Sequence, residues 1–150
     1  MAYLADTDIL LRLMHRGDPE HGLVRAALRS LHRGGERIFY AAQNLVEFWR
    51  VCTRPVSANG FGLSIAETNG RAKVIERLYI LVPELPEVHA QWRQLVVTHA
   101  VSGVQVHDAR LVAMMRVHGI VDLLTLNVAD FRRYPGISVT HPQDVVARSA

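Results

Sequence analysis

The stretch "LADTDILL" (residues 4–11) places two acidic residues, Asp6 and Asp8, directly after a short apolar opening. The apolar residues 2–6 are typical of a short buried strand, and residues 7–15 have the apolar spacing of a helix that ends before Gly17. A buried strand that leads at once into a helix is typical of an α/β fold. The carboxylates at this junction need an explanation, because burying charge costs free energy.

The rest of the chain repeats this alternation of strand and helix, punctuated by Gly, Pro and capping residues. The predicted strands are 2–6, 37–41, 79–83, 121–126 and 137–141, and the predicted helices are 7–15, 19–33, 42–54, 64–78, 86–101, 106–119 and 127–133. This alternation predicts a single domain over residues 1–150, with helices on both faces of a parallel sheet. In such doubly wound folds, ligands bind beyond the carboxyl ends of the strands.

The composition is that of a soluble globular domain, with 49% hydrophobic and 21% charged residues. No apolar run approaches the roughly 18–20 residues that span a bilayer, so no membrane partner is expected. The N-terminus has no signal-peptide pattern. A single cysteine, Cys52, is consistent with a reducing compartment. We therefore expect a cytoplasmic protein.

The formal net charge is +3, from 17 basic and 14 acidic residues, and Lys73 is the only lysine. The planar guanidinium of arginine suits phosphate, which is compatible with a nucleic-acid partner. A GC-rich gene that encodes Arg in place of Lys would give the same composition. The charge balance alone therefore leaves the partner open.

Five of the 14 acidic residues are not explained simply by helix starts, exposed faces or loops. Asp6 follows the first strand, Glu47 lies in mid-helix beside an apolar stripe (Ala42, Leu45, Val46, Trp49, Cys52), and Asp108 begins the apolar face of its helix. Asp8 lies in the first turn of the first helix, and Asp130 follows the fourth strand. Each has a structural alternative: a helix cap for Asp6 or Asp8, a solvated side chain for Glu47, favourable helix-dipole contact for Asp108, and a surface turn for Asp130.

Together, the elements that carry these acids lead to one edge of a parallel sheet. Several bare carboxylates in one pocket would repel each other, and a hard divalent cation removes that penalty. Such a site can acidify a bound water and neutralise charge on a phosphodiester during hydrolysis. We therefore predict that the acids on these elements bind Mg²⁺ or Mn²⁺ at this edge, and we expect four polar residues to surround the cation: Thr7, Asp8, Asn44 and Thr125.

Four short motifs occur in the order and contexts of a PIN domain: "LADTDILL" with Asp6, "NLVEFWRV" with Glu47, "VHDARLVA" with Asp108, and "LLTLNVADF" at 123–131. In spacing and length the chain resembles the VapC-type toxin ribonucleases of prokaryotic toxin–antitoxin pairs. The segment "TRPVSANGFGLS" (53–64) is similar to a loop of a subgroup of these proteins. The resemblance covers nearly the whole chain.

This resemblance implies a PIN-like three-layer sandwich with a central, mostly parallel five-stranded sheet. It implies that Mg²⁺ or Mn²⁺ is bound and that single-stranded regions of RNA are cleaved, with Asp6, Glu47 and Asp108 as the three common acids. Where many members have a fourth acid, this chain has Asn127, so we expect Asn127 to orient a metal-bound water or ligand and Asp130 to supply charge at longer range. The resemblance also implies a small antitoxin, whose C-terminal segment covers the site, and a homodimer that forms a basic groove.

RNA requires basic side chains around an acidic site. Five arginines lie on elements next to the predicted site and are candidate RNA contacts: Arg12, Arg16, Arg50, Arg54 and Arg110. Arg50 lies one turn after Glu47, so a purely structural ion pair is an equal alternative for it.

The sequence also contains partial motifs of other protein classes. The "DTD" motif also resembles the opening of haloacid-dehalogenase phosphohydrolases, but Leu10 occupies the position where that motif has Thr or Val, and Lys73 lies within a helix. A receiver domain lacks a suitable lysine in the same way, and no G-x-S-x-G motif supports a serine hydrolase. A non-catalytic PIN-like RNA-binding module and a housekeeping RNA-processing nuclease without an antitoxin remain open.

Overall fold

A computed structural model describes residues 1–149 and contains five strands and seven α-helices within that range. The strands are β1 (Ala2–Ala5), β2 (Arg37–Tyr40), β3 (Ile80–Leu81), β4 (Asp122–Leu124) and β5 (Ser138–Thr140). The helices are α1 (Thr7–Met14), α2 (His21–Arg33), α3 (Ala42–Thr53), α4 (Ile65–Leu78), α5 (Glu87–Thr98), α6 (Gln105–His118) and α7 (Pro142–Ser149). Two short 3₁₀ turns, Val56–Ala58 and Val128–Phe131, complete the secondary structure.

The strands form one parallel sheet in the order β3-β2-β1-β4-β5. The prediction of a parallel α/β sandwich is therefore confirmed, and every strand pair is parallel rather than most of them. The order reverses direction at β1, whose neighbours are β2 on one side and β4 on the other. This is the switch point at which doubly wound sheets open a crevice at their carboxyl edge.

The sheet separates two hydrophobic cores, because side chains of a strand alternate between its faces. Tyr3 and Ala5 of β1 belong to the core beneath α1, α2, α3, α4 and α7. Leu4 points to the opposite core, which α5 and α6 cover. In β4, Leu124 and Leu123 divide between the two cores in the same way. The result is the predicted three-layer arrangement.

Some boundaries differ from the sequence prediction. Helix α2 begins at His21 rather than at residue 19, because the Asp18 carboxylate accepts a hydrogen bond from the backbone N–H of Glu20 and holds residues 16–20 as turns. The third strand is only two residues long. Val46, which we had placed in the buried stripe of α3, is 69% exposed, and Phe48 is buried instead.

The last helix, α7, is absent from the sequence prediction, which ended at the fifth strand. Its local signals are clear in retrospect: Pro142 occupies the first helical position and Asp144 lies in the first turn. Helix α7 packs against α2 and buries Val145 in the first core. Within the described part of the chain, none of the helices has both the length and the apolar character needed to cross a bilayer.

Candidate functional site

A cleft of about 760 Å³ opens where the carboxyl ends of β1 and β4 meet the first turns of α3 and α6. All five unexplained acids line it: Asp6, Asp8, Glu47, Asp108 and Asp130. Thr7, Asn44 and Asn127 line it as well. The chain therefore brings these predicted site residues together from four separate elements, although they span 125 positions of the sequence.

Asp6 lies at the centre of this arrangement and is 9% exposed. One carboxylate oxygen, Oδ1, accepts a hydrogen bond from the backbone N–H of Thr7 (2.8 Å) and so caps α1. The other, Oδ2, accepts from the hydroxyl of Thr125 (2.8 Å), which follows β4. Burial raises the pKa of Asp6, and these two hydrogen bonds act in the opposite direction. Asp6 is thus both a helix cap and a fixed carboxylate that points into the cleft.

Asp8 connects α1 to the segment that follows β4. Its Oδ2 accepts from the backbone N–H of Leu126 (3.1 Å) and from the side-chain amide of Asn127 (3.0 Å). Its Oδ1 is buried and has no hydrogen-bond partner within residues 1–149. Burial, and then the charge of Asp6, raise the pKa of Asp8 well above its usual range. A buried carboxylate oxygen with no partner is a free ligand position in the cleft wall.

Asn44 and Thr7 fix the opposite side of the cleft. The Asn44 side-chain amide donates to the Thr7 hydroxyl (3.1 Å), and its carbonyl oxygen accepts from the backbone N–H of Ala41 (2.8 Å). One turn further along α3, Glu47 forms an ion pair with Arg50 (2.9 Å). Glu47 is therefore a half-buried residue that lies at the rim of the cleft and pairs with Arg50.

Asp108 lies in the first turn of α6 and faces the same cleft. Desolvation is the main reason that its pKa is raised to about 7, and the charges of Asp6, Asp130 and Glu47 raise it further. Arg133 is the one cation that acts on it in the opposite direction. These four carboxylates line one cleft, so each disfavours the charged form of its neighbours.

A further contact, which the sequence did not reveal, joins the two helices that carry Glu47 and Asp108. The Gln43 side chain donates to the backbone carbonyl of His107 (2.9 Å) and accepts from Arg110 (3.3 Å). Arg110 also forms a paired contact with both carboxylate oxygens of Glu84 (3.1 and 2.8 Å). We call this set, Gln43 with His107, Arg110 and Glu84, the Gln43 clamp. It fixes the first turn of α3 against the first turn of α6.

The five arginines predicted to contact RNA have different surroundings. Only Arg50 lines the cleft. Arg12 forms an ion pair with Asp18, Arg54 donates to the carbonyl of Asn59, and Arg110 belongs to the Gln43 clamp. Arg16 lies in a separate depression beside α2. Sequence proximity to a site residue thus does not set the direction of a long side chain, and the assignment of the five arginines as RNA contacts stays a prediction.

Several residues that form the cleft were not predicted. Gln43, Gln105 and His107 line it, and Arg133 donates to Gln105 (2.6 Å) at its edge. Neutral polar residues near a helix start carry no signal that separates them from ordinary surface positions. Only the contact between the first turn of α3 and the first turn of α6 gives them this place.

A divalent metal ion such as Mg²⁺ needs several oxygen ligands around one point. Within residues 1–149, no three acidic, histidine or cysteine side chains converge closely enough to form a complete metal centre as they stand. The cleft is nevertheless lined by five carboxylates together with His107, it raises the pKa of Asp6, Asp8 and Asp108, and the buried Asp8 Oδ1 has no hydrogen-bond partner among the described residues. A hard cation would relieve the repulsion among these carboxylates, and carboxylate oxygens are the ligands that Mg²⁺ and Mn²⁺ prefer, so the chemistry of the donor set fits either ion.

The fold and the position of this cleft define the class: the chain has the PIN-like fold, with its acids at the switch point of the sheet. Solved structures that share this fold include a toxin–antitoxin complex and several VapBC structures. The crystal structure of VapBC2 from Rickettsia felis, bound to a promoter DNA fragment, matches with a TM-score of 0.74 at 12% identity over 94% of this chain and 98% of that one. VapBC-1 from nontypeable Haemophilus influenzae matches with a TM-score of 0.71 at 14% identity over 95% and 99%.

A third similar structure is Mycobacterium tuberculosis VapC20, a sarcin–ricin loop cleaving toxin, with a TM-score of 0.60 at 19% identity over 81% of this chain and 86% of that one. No protein-family model and no curated protein sequence matches this chain. The shared feature is thus the fold, at sequence identities too low to carry over more than that.

Proposed function

We propose that this protein is a metal-dependent endoribonuclease that hydrolyses RNA phosphodiester bonds with activated water. The observation that carries the proposal is the convergence of Asp6, Glu47 and Asp108 on one cleft at the carboxyl edge of the sheet. The similarity in fold to an RNA-cleaving toxin supports the same reaction class. No nucleophilic side chain is needed, because water attacks the phosphorus and the bridging oxygen leaves.

Asp6, Glu47 and Asp108 would hold Mg²⁺ or Mn²⁺. When bound, the cation would neutralise charge on the phosphodiester and lower the pKa of water. Thr125 and the N–H of Thr7 fix both oxygens of Asp6, so this carboxylate presents its remaining lone pairs in one direction. Asp8 holds the side-chain amide of Asn127, which leaves the carbonyl oxygen of Asn127 to orient a ligand or water.

The test is RNA cleavage by the purified protein with Mn²⁺ or Mg²⁺ and with a chelator in its place. The variants D6N and D108N keep the size of each side chain and remove its charge. We expect cleavage to fall by at least about a hundredfold in each, since even residues that only support metal ligands contribute roughly 10–100-fold. D122N is the matched control, because Asp122 is a half-buried carboxylate of β4 that does not line the cleft.

Cleavage at the wild-type rate in D6N or D108N would overturn the assignment of the site. A protein that binds RNA but does not cleave it with either metal would instead be the non-catalytic binding module. That alternative rests on Asn127, which occupies the position of a fourth acid in many proteins of this kind.

We further propose that the protein is the toxin of a toxin–antitoxin pair, acts in the cytoplasm as a homodimer, and is inhibited by a small antitoxin. The solved structures of similar fold include VapBC complexes, which supports this assignment. Expression of the wild type should stop growth, expression of D6N should not, and co-expression of the antitoxin should restore growth. Harmless expression of a protein that cleaves RNA in vitro would favour a housekeeping nuclease.

A further inference from the structure

The cleft has the wrong charge for a polyanion. Five carboxylates line it, and its one basic lining residue, Arg50, forms an ion pair with Glu47. Even with one divalent cation bound, Arg50 and five ionised carboxylates would leave this lining with a net negative charge. An RNA molecule is therefore not attracted by the cleft alone, although the whole chain carries a net charge of +3. The positive charge must lie elsewhere on the surface.

A row of three arginines on α2 provides such a surface. Arg25, Arg29 and Arg33 are exposed and recur every four residues, which corresponds to a rise of about 6 Å per step along the helix axis. Helix α2 contains no acidic residue. Among residues 1–149, none of the three takes part in an ion pair or a side-chain hydrogen bond. We call these three residues the arginine stripe.

The arginine stripe lines contiguous depressions that are separate from the cleft. One lies between α2 and α7 and is lined by all three arginines. A second, lined by the same three residues with His32, extends to Tyr79 beyond α4. A third adds Arg16, and none of the three shares a lining residue with the acidic cleft. Arg33 ends α2 just before β2, so the stripe runs toward the amino edge of the sheet, away from the cleft.

We propose that the arginine stripe binds the phosphate backbone of a structured RNA and so holds the substrate whose cleaved strand enters the acidic cleft. This inference rests on the proposed function for the choice of RNA as the polyanion. Guanidinium groups pair with phosphate through two parallel hydrogen bonds, and a row of unpaired guanidiniums suits a ligand whose charges follow one line. In this proposal the arginine stripe provides affinity for the RNA, and the acidic cleft provides the groups that cleave it.

The first experiment measures binding without cleavage. A labelled RNA hairpin is titrated with the full-length protein in a chelating buffer at several salt concentrations. We expect R25Q/R29Q/R33Q to bind roughly tenfold more weakly than the wild type, and its salt dependence to fall by about 2–3 in the log–log slope, since each phosphate contact contributes about 0.9. The control K73Q/R77Q/R93Q removes the same charge from exposed positions on α4 and α5.

One further variant and a competition experiment make the outcome decisive. R25K/R29K/R33K retains the charge and should retain most of the binding, with thermal melts showing that all variants are folded. Equal weakening by the scattered control would mean that net charge alone attracts RNA, and the proposal would be wrong. Competition by poly-glutamate as effective as that by RNA of equal charge would assign the stripe to an acidic protein partner and would also overturn it.

A second experiment separates this inference from the proposed function. With Mn²⁺, cleavage of a short single-stranded RNA should be the same in R25Q/R29Q/R33Q and the wild type, whereas a long structured RNA should show a raised KM and an unchanged kcat. If the wild type cleaves no RNA but the stripe variant still loses hairpin binding, only the nuclease assignment fails. If short and long RNAs are cleaved equally by both proteins, only the stripe assignment fails.

Discussion

The acidic cleft and the arginine stripe differ in how the fold holds them. The cleft carboxylates come from four elements, and two of them, Asp6 and Asp8, are fixed by side-chain and backbone hydrogen bonds. The stripe belongs to one helix, and its side chains have no such contacts within the described residues. Changes in the cleft should therefore alter stability and activity together, whereas changes in the stripe should alter only affinity for a polyanion.

Among the changes that test this contrast, D8A is expected to have the largest combined effect on stability and activity. It removes the acceptor for the N–H of Leu126 and the side-chain amide of Asn127, so the free energy of unfolding should fall by about 1–3 kcal/mol. RNA cleavage should fall by about 10–100-fold, because Asn127 loses its orientation. Chemical denaturation and single-turnover cleavage measure the two effects, with D144A on the exposed first turn of α7 as the control. A loss of activity without any loss of stability would show that Asp8 is not a structural bridge.

A smaller effect is expected for Q43A. Without the Gln43 clamp, the first turns of α3 and α6 are no longer held together, so the affinity for Mn²⁺ and the cleavage rate should each fall by about tenfold. The pH at which Asp108 titrates should also shift toward its usual value as the carboxylates separate. Q94A, on the exposed surface of α5, should behave as the wild type. Unaltered Mn²⁺ affinity in Q43A would contradict a positioning role.

The pH dependence of stability gives a third test on the metal-free protein. The folded-state pKa of Asp108 is raised to about 7, so the folded state holds a proton that the unfolded state has already released above about pH 4. Stability should therefore fall as the pH rises from about 4 to about 7. D108N removes this titration and should raise the melting temperature at pH 8 by a few degrees, with little change at pH 4. Addition of Mn²⁺ should stabilise the wild type at pH 8 and have a smaller effect on D108N.

The smallest effect on stability is expected for R50Q. The exposed pair of Arg50 and Glu47 contributes at most about 0.5 kcal/mol, because solvent screens it. If Arg50 contacts RNA, the KM for cleavage should nevertheless rise several-fold. R93Q is the control for the loss of one exposed charge. If R50Q lowers the free energy of unfolding by more than about 1 kcal/mol and leaves the KM unchanged, Arg50 has a structural role and does not contact RNA.

The positions of Asp6, Asp108 and Asn127 in the cleft follow from local sequence, because each comes directly after a strand or at the start of a helix. In a parallel sheet such residues meet at one edge. The arginines were harder to place: Arg12, Arg54 and Arg110 bond to other parts of the protein, and Arg16 lies beside α2. The direction of a long side chain depends on tertiary neighbours, which local pattern does not encode. The sequence around Gln43 did not indicate a role for this residue, because its role depends on a contact with a helix more than 60 residues away.

The sequence by itself determined the parallel α/β sandwich, the order of its main elements and the five acids without a simple structural explanation. Strand and helix periodicity and capping residues act over a few positions, so these features can be read locally. Only the tertiary structure decided that Asp8 bridges two elements and that Gln43 clamps α3 to α6. It also decided that Arg25, Arg29 and Arg33 lie on a surface away from the cleft, with no ion-pair partner among residues 1–149. These outcomes depend on which distant groups come within hydrogen-bonding distance, and that distance is set by packing.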